Sequence, residues 1–284
     1  MSIMNYSATS SIPIKSKFIR GEVALIGAGP GDAELLTIKA VRFLQQANVV
    51  IYDRLVSREI VHLTPVNCRR LYVGKELHKQ CVSQSQINET LLQHARKGEK
   101  VVRLKGGDSF IFGRGSEEVE YLLTNGINCH VIPGITAASG ATTYAGIPLT
   151  HRDVAHSCSF ITGHLKHGNE LCLPWHEYAA SKQTLVFYMG LSNALLIQQQ
   201  LRAHGKPSKT PVAIIHRGTQ PGQQVWRTEL CSLASTIAHH NIRSPSLIVV
   251  GDVVNVLADY HVNSAHGAYL TADKQVYEDL AVTQ

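Results

Sequence analysis

The feature that most constrains this chain is a rhythm in its first half. Short runs of β-forming residues end in tight turns, and apolar residues at helical spacing follow several of them. The runs fall at residues 22–26, 49–52, 70–73, 101–104 and 129–132. They end in GAGPGD, in Asp53, in Gly74-Lys75, in Gly106-Gly107-Asp108 and in Pro133-Gly134. Leu35, Ile38, Val41, Leu44 and Ala47 mark one helix, and Ile87, Leu91, Leu92 and Ala95 mark another closed by Gly98. Val119, Leu122 and Leu123 mark a third. Ser116 suits its N-cap, with Glu117 and Glu118 in the first turn and a stop at Asn125-Gly126. Strands alternating with helices predict an open α/β sheet with parallel strands and right-handed crossovers. Ligands in such sheets gather at the carboxyl edge of the strands, where Asp53, Lys75, Gly106, Gly107, Asp108 and Thr136 fall.

The segment GIPLT at 146–150 reads as a linker, and the rhythm then changes to longer strands with polar loops. Strands are expected at 159–162, 184–188, 212–216, 223–227 and 246–250, and helices at 193–204 and 233–239. The predicted organisation is an arm at 1–17, an N-terminal α/β domain at 18–145, a C-terminal α/β domain at 146–258 and a mobile tail at 259–284. A length of 284 residues suits two domains.

The chain has no apolar run of membrane-spanning length and no leader-like block near its start, so a cytoplasmic location without a membrane partner is expected. Six cysteines lie scattered without a CxxC pair, which predicts free and mostly buried thiols and no metal site. Lysine plus arginine exceed aspartate plus glutamate by 27 − 21 = +6. That balance suits an acidic partner, but dense basic runs interleaved with aromatics are missing, so a small polyanion is favoured over nucleic acid.

The turn GAGPGD follows a strand and precedes a helix, as a dinucleotide fingerprint does. The third glycine of that fingerprint is replaced by Asp32, whose carboxylate would repel a pyrophosphate. A phosphate-free ligand such as S-adenosylmethionine fits better, and Asp32 itself reads as a helix cap. Asp53 and Lys75 are ionisable groups at strand ends. Both lie near that turn in the sequence pattern, but an Asp53–Arg54 pair and a solvated Lys75 are comparably good readings. His164 and His167 have a His-x-x-His spacing with no third ligand, so a basic loop is expected. His151 and Arg152, in PLTHRD, would lie where two domains meet and suit a carboxylated substrate.

Taken together, these segments resemble the uroporphyrinogen-III C-methyltransferases of the tetrapyrrole methylase family. The likeness runs over about residues 22–254 and rests on an ordered series: VALIGAGPGD, VVIYDRLVS, YVGK, VVRLKGGDSFIFGRGSEE, VIPGITAASG, AGIPLTHRD, ITGHLK, TLVFYMG and SPSLIVVGDVV. With no dehydrogenase or chelatase motif read before it, the stand-alone form is the expectation. The resemblance implies two α/β domains with the active site in the cleft between them, usually in a homodimer. It implies S-adenosylmethionine as methyl donor, S-adenosylhomocysteine as by-product and uroporphyrinogen III as substrate. Methylation at C2 and C7 would give precorrin-2, on the route to sirohaem or cobalamin. Carried over by motif, the donor-binding residues are Pro30, Gly106, Gly107, Asp108, Ile111, Thr136, Ala137, Met189 and Gly218. Asp53 is implied as proton acceptor and Lys75 as proton donor. Arg114, His151, Arg152 and Lys166 are candidates for the substrate's carboxylates. The chain departs from the family pattern at Ser109, where proline is common, at Ser116, over residues 76–84 and at His216-Arg217. The alternatives are a methylase of a later corrin precursor and a non-catalytic tetrapyrrole-binding homologue.

Overall fold

A computed structural model describes residues 17–74, 82–164, 173–259, 261–263 and 269–271. The chain forms two compact units, residues 1–135 and residues 136–284.

The first unit is a five-stranded, fully parallel sheet in the order β3-β2-β4-β1-β5. Its strands are β1 (Val23–Gly27), β2 (Val49–Tyr52), β3 (Arg69–Tyr72), β4 (Val101–Lys105) and β5 (Cys129–Ile132). These match the predicted runs to within a residue. Its helices are α1 (Ile38–Leu44), α2 (Arg58–His62), α3 (Gln84–Arg96) and α4 (Gly115–Thr124). Side chains of a strand alternate between faces, and both faces are covered. Ala24, Ile26, Val50, Val102 and Leu104 pack with Phe43 and Leu44 of α1 and Ile60 of α2. Val23, Leu25, Val49, Ile51 and Val101 pack with Leu91 and Ala95 of α3 and Leu122 of α4. Each fully buried Val, Leu, Ile or Phe contributes about 1.5–3 kcal/mol by leaving water.

Two helix starts differ from expectation. Asp32 accepts a hydrogen bond from Glu34 N at 2.8 Å and caps a 3₁₀ turn at Ala33–Leu35, while Thr37 caps α1 through Ala40 N. The N-cap of α4 is Arg114, not Ser116, and it takes left-handed backbone with φ 57°. The short α2 was not anticipated, because five residues hold little more than one turn of periodicity.

The second unit is a mixed sheet in the order β6-β7-β10-β8-β9, parallel between β6 and β7 and antiparallel elsewhere. Its strands are β6 (Cys158–Thr162), β7 (Thr184–Tyr188), β8 (Pro211–His216), β9 (Gln224–Glu229) and β10 (Ser246–Val250). Helices α6 (Trp175–Ala180), α7 (Ala194–Ala203) and α8 (Leu233–His239) cover the face bearing Leu185, Phe187, Val212, Ile214 and Ile248. Helix α5 (Ala137–Tyr144) lies on the other face, where Ala138 and Ala141 meet Val186, Ala213 and Ile215. Residues 136–145, expected in the N-terminal domain, thus pack in the second unit, and the division falls ten residues before the linker read at 146–150. Within the predicted tail, β11 (His261–Asn263) pairs antiparallel with β12 (Tyr269–Thr271), runs of three residues that carry no readable period.

Among the described residues no helix is long and apolar enough to cross a membrane. Cys68, Cys129, Cys158 and Cys231 are free thiols, but only Cys68 is buried. The expectation of mostly buried thiols is therefore too strong, since the other three sit at partly covered positions. Cys81, Cys172 and His167 lie outside the described residues.

Candidate active site

In the first unit, the loops after β1, β4 and β5 converge at the carboxyl edge. Gly29 and Gly107 exchange backbone hydrogen bonds, N to O, at 3.1 and 2.7 Å, which sets Pro30 beside the Gly106-Gly107 turn. A Cβ on Gly27 would lie 2.5 Å from Gly134 N and 2.7 Å from Gly107 O. One on Gly134 would lie 2.5 Å from Gly107 O. The three backbones touch because no side chain intervenes. Asp108 locks the junction: Oδ1 accepts from Phe110 N at 2.8 Å and Oδ2 from Gly134 N at 3.1 Å. Ile111 follows in the same loop, its N donating to Asp108 O at 3.3 Å.

Asp53 emerges from the end of β2. Its Oδ1 accepts from Leu55 N at 3.0 Å, and its Oδ2 accepts from Arg103 Nη2 at 3.2 Å. The expected alternative partner, Arg54, is not the one used. The Asp53 side chain keeps 27% of its surface exposed, whereas Arg103 keeps 3%. Behind this pair lies a buried ionic cluster. Arg103 Nε reaches Glu118 Oε1 at 3.4 Å, Lys105 Nζ donates to the same oxygen at 2.8 Å, and Gln84 Nε2 donates to it at 3.0 Å. Glu118 is wholly buried. Burial pushes the Lys105 ammonium below its ordinary pKa, Arg103 adds to that shift, and Glu118 and Asp53 oppose it.

Sequence reasoning missed this cluster, although a signal was present. Arg103 and Lys105 sit two apart in a strand whose every other residue is apolar, so they share one face and need a buried counter-charge. Glu118 was read only as a first-turn acid of α4.

In the second unit, Thr136 and Ala137 open α5, and Tyr188 at the end of β7 holds that opening. The Tyr188 hydroxyl lies 2.5 Å from Thr136 Oγ1 and accepts from Ala138 N at 2.9 Å. Met189 follows directly, exposed and in left-handed conformation with φ 54°. Gly218 lies against the same helix, since a Cβ there would stand 2.3 Å from Ala141 Cβ. Three of the predicted residues, Thr136, Ala137 and Gly218, thus lie on or against α5, and Met189 follows the tyrosine that holds its start. Tyr188 is the residue that sequence reasoning overlooked.

The residues suggested for substrate carboxylates are less gathered. Arg114 is engaged by Glu117, with Nε 2.9 Å from Oε1 and Nη2 2.6 Å from Oε2, and this pairing raises its pKa. His151 Nδ1 accepts from Asp153 N at 3.3 Å, and Arg152 is exposed. Lys75 and Lys166 lie outside the described residues. Among the departures, Ser109 is buried with no hydrogen-bond partner for its hydroxyl, and His216 Nδ1 donates to Pro245 O at 3.0 Å within the unit.

The model of the tetrapyrrole (corrin/porphyrin) methylases matches residues 22–234. A siroheme synthase of Aeromonas hydrophila is 56% identical over 239 residues, covering 84% of this chain and 50% of that protein. The chain therefore spans about half the length of such curated relatives. Among solved structures, a uroporphyrin-III C-methyltransferase of Thermus thermophilus complexed with S-adenosylhomocysteine is 39% identical with a TM-score of 0.71. That match covers 83% of this chain and 99% of the other. A cobalt-precorrin-4 methyltransferase of cobalamin biosynthesis is 25% identical with a TM-score of 0.74, covering 82% and 96%. With an open parallel sheet, a glycine junction at its carboxyl edge and a family match over residues 22–234, the chain belongs to the tetrapyrrole methylases.

Proposed function

We propose that the chain is an S-adenosylmethionine-dependent C-methyltransferase that converts uroporphyrinogen III to precorrin-2 by methylation at C2 and C7, supplying sirohaem or cobalamin. The observation that carries this reading is Asp53, a partly exposed carboxylate fixed at a strand end in the same unit as a side-chain-free glycine junction. The junction fits the donor, because Gly106 and Gly107 carry no side chain at the edge and Asp108, with both oxygens holding the loops, fixes the turn.

Bound S-adenosylmethionine supplies a methyl group already activated by the sulfonium, so the chain's task is to align it with a nucleophilic pyrrole carbon. The donor-holding residues in this reading are Pro30, Gly106, Gly107, Asp108, Ile111, Thr136, Ala137, Met189 and Gly218. Asp53 accepts the proton lost after attack. Each of its oxygens accepts one hydrogen bond, leaving a lone pair for that proton. Lys75 is the proton donor. His151, Arg152 and Lys166 meet the substrate's carboxylates, and Arg114 joins them if Glu117 releases it. The protein works as a cytoplasmic homodimer.

Incubating the purified chain with S-adenosylmethionine and enzymatically generated uroporphyrinogen III should give a product heavier by two methyl groups. A folded protein that binds S-adenosylhomocysteine yet methylates nothing would show a binding homologue instead. Preferential methylation of a later corrin precursor would move the chain to that step.

A further inference from the structure

Arg103, Lys105, Glu118 and Asp53 carry two positive and two negative charges, three of them nearly or wholly buried. Buried charges persist only when paired and hydrogen-bonded. Here the pairing is directional. The Arg103 guanidinium is fixed on every side: Nε toward Glu118, Nη1 toward Leu104 O at 2.7 Å and Ile51 O at 3.4 Å, and Nη2 toward Asp53. Of the four charged groups, Arg103, Lys105 and Glu118 are shut off from solvent, and Asp53 is the one that reaches it. Glu118 Oε1 accepts from Arg103, Lys105 and Gln84 together, so its negative charge takes up part of the pull of both cations.

We infer that Glu118 and Lys105 are positioning residues that set how strongly Arg103 grips the Asp53 carboxylate, acting on methyl transfer without touching substrate or donor. The inference rests on Asp53 being the proton acceptor. With Glu118 ionised and Lys105 charged the cluster is neutral, and Arg103 divides its attraction between two carboxylates. If Glu118 loses its charge, two cations face Asp53 alone, and the carboxylate becomes a poorer proton acceptor. If Lys105 loses its charge as well, the balance returns.

The test uses the full chain and three variants, reading turnover in the methylation assay and S-adenosylhomocysteine affinity by calorimetry. Glu118→Gln keeps one acceptor oxygen for Arg103, Lys105 and Gln84 and removes the charge, with the amide NH2 taking the position of Oε2, which has no hydrogen-bond partner among the described residues. It should lower kcat roughly 10- to 100-fold while leaving S-adenosylhomocysteine affinity and donor KM unchanged, as expected for a misplaced or mistuned catalytic group. Adding Lys105→Met to Glu118→Gln should recover most of that loss, an effect that a structural role would reverse, because two deletions in one buried cluster destabilise more than one. Should Glu118→Gln fail to fold, the compensated pair carries the test alone: near-normal turnover supports the inference and low turnover overturns it. Unchanged kcat in Glu118→Gln, or a compensated pair worse than the single variant, also overturns it. Asp53→Ala separates the two levels. Normal turnover there removes the proton acceptor itself, whereas lost turnover there with a normal Glu118→Gln removes only the positioning role.

Discussion

Gly134→Ala perturbs the site at the point where sequence and geometry are most tightly tied. The new Cβ would lie 2.5 Å from Gly107 O and from the carbonyl carbon and oxygen of Gly27. Ordinary contacts begin near 3.4 Å, so at least two strand-end loops must each retreat by several tenths of an ångström. All the opposing atoms are backbone, so no rotamer change relieves the overlap. Overpacking costs about 1–3 kcal/mol, and the upper end applies because retreat also stretches the bond from Gly134 N to Asp108. About 3 kcal/mol corresponds to a fall of roughly 6–12 °C in Tm. Calorimetric titration with S-adenosylhomocysteine should show a loss of at least tenfold in affinity. Gly126→Ala is the control. Its Cβ meets nothing within 4 Å, and only its φ of 77° resists, at about 1–2 kcal/mol, so stability should fall slightly with affinity intact. Gly134→Ala with normal Tm and normal affinity would refute the reasoning that backbone contact organises the edge.

Other outcomes follow from single contacts. Tyr188→Phe removes the acceptor of the buried Ala138 N–H and the partner of Thr136, costing about 2 kcal/mol and weakening S-adenosylhomocysteine binding; thermal melts and calorimetry check both. Ser109→Ala removes a buried hydroxyl that has no hydrogen-bond partner and should gain about 1 kcal/mol, read as a Tm rise of roughly 2–4 °C. Burial pushes the Cys129 and Cys158 thiols up to about 11 from 9.0, so thiolate is scarcer below that pH and becomes abundant only above it. At pH 8 each should alkylate about a hundredfold more slowly than a thiol titrating at 9, with the difference narrowing as pH rises; peptide mass analysis after timed iodoacetamide treatment measures it.

The strands were legible because a buried parallel strand is a short, continuous apolar run, and such runs stand out between glycine turns. The boundary region was harder. Residues 135–145 are mostly small, and only packing against Val186, Ala213 and Ile215 makes α5 a helix of the second unit. Asp53 was visible as an acid at a strand end, but its partner lies fifty residues away on β4 and could not be guessed from adjacency. The β4 charges carried a signal that strand alternation makes readable, while Tyr188 carried none, since an aromatic residue ending a strand is ordinary. Arg114 illustrates the opposite failure. A basic residue near a glycine turn suggested a substrate contact, and the acid three positions on was overlooked.

The most direct measurement is the mass of the tetrapyrrole formed when the chain and its Asp53→Ala variant are each incubated with S-adenosylmethionine and uroporphyrinogen III. The account predicts a dimethylated product from the unaltered chain, and from the variant only traces despite normal S-adenosylhomocysteine binding. Equal product from both proteins would contradict the role of Asp53, and no product from either, with binding intact, would contradict the proposed reaction.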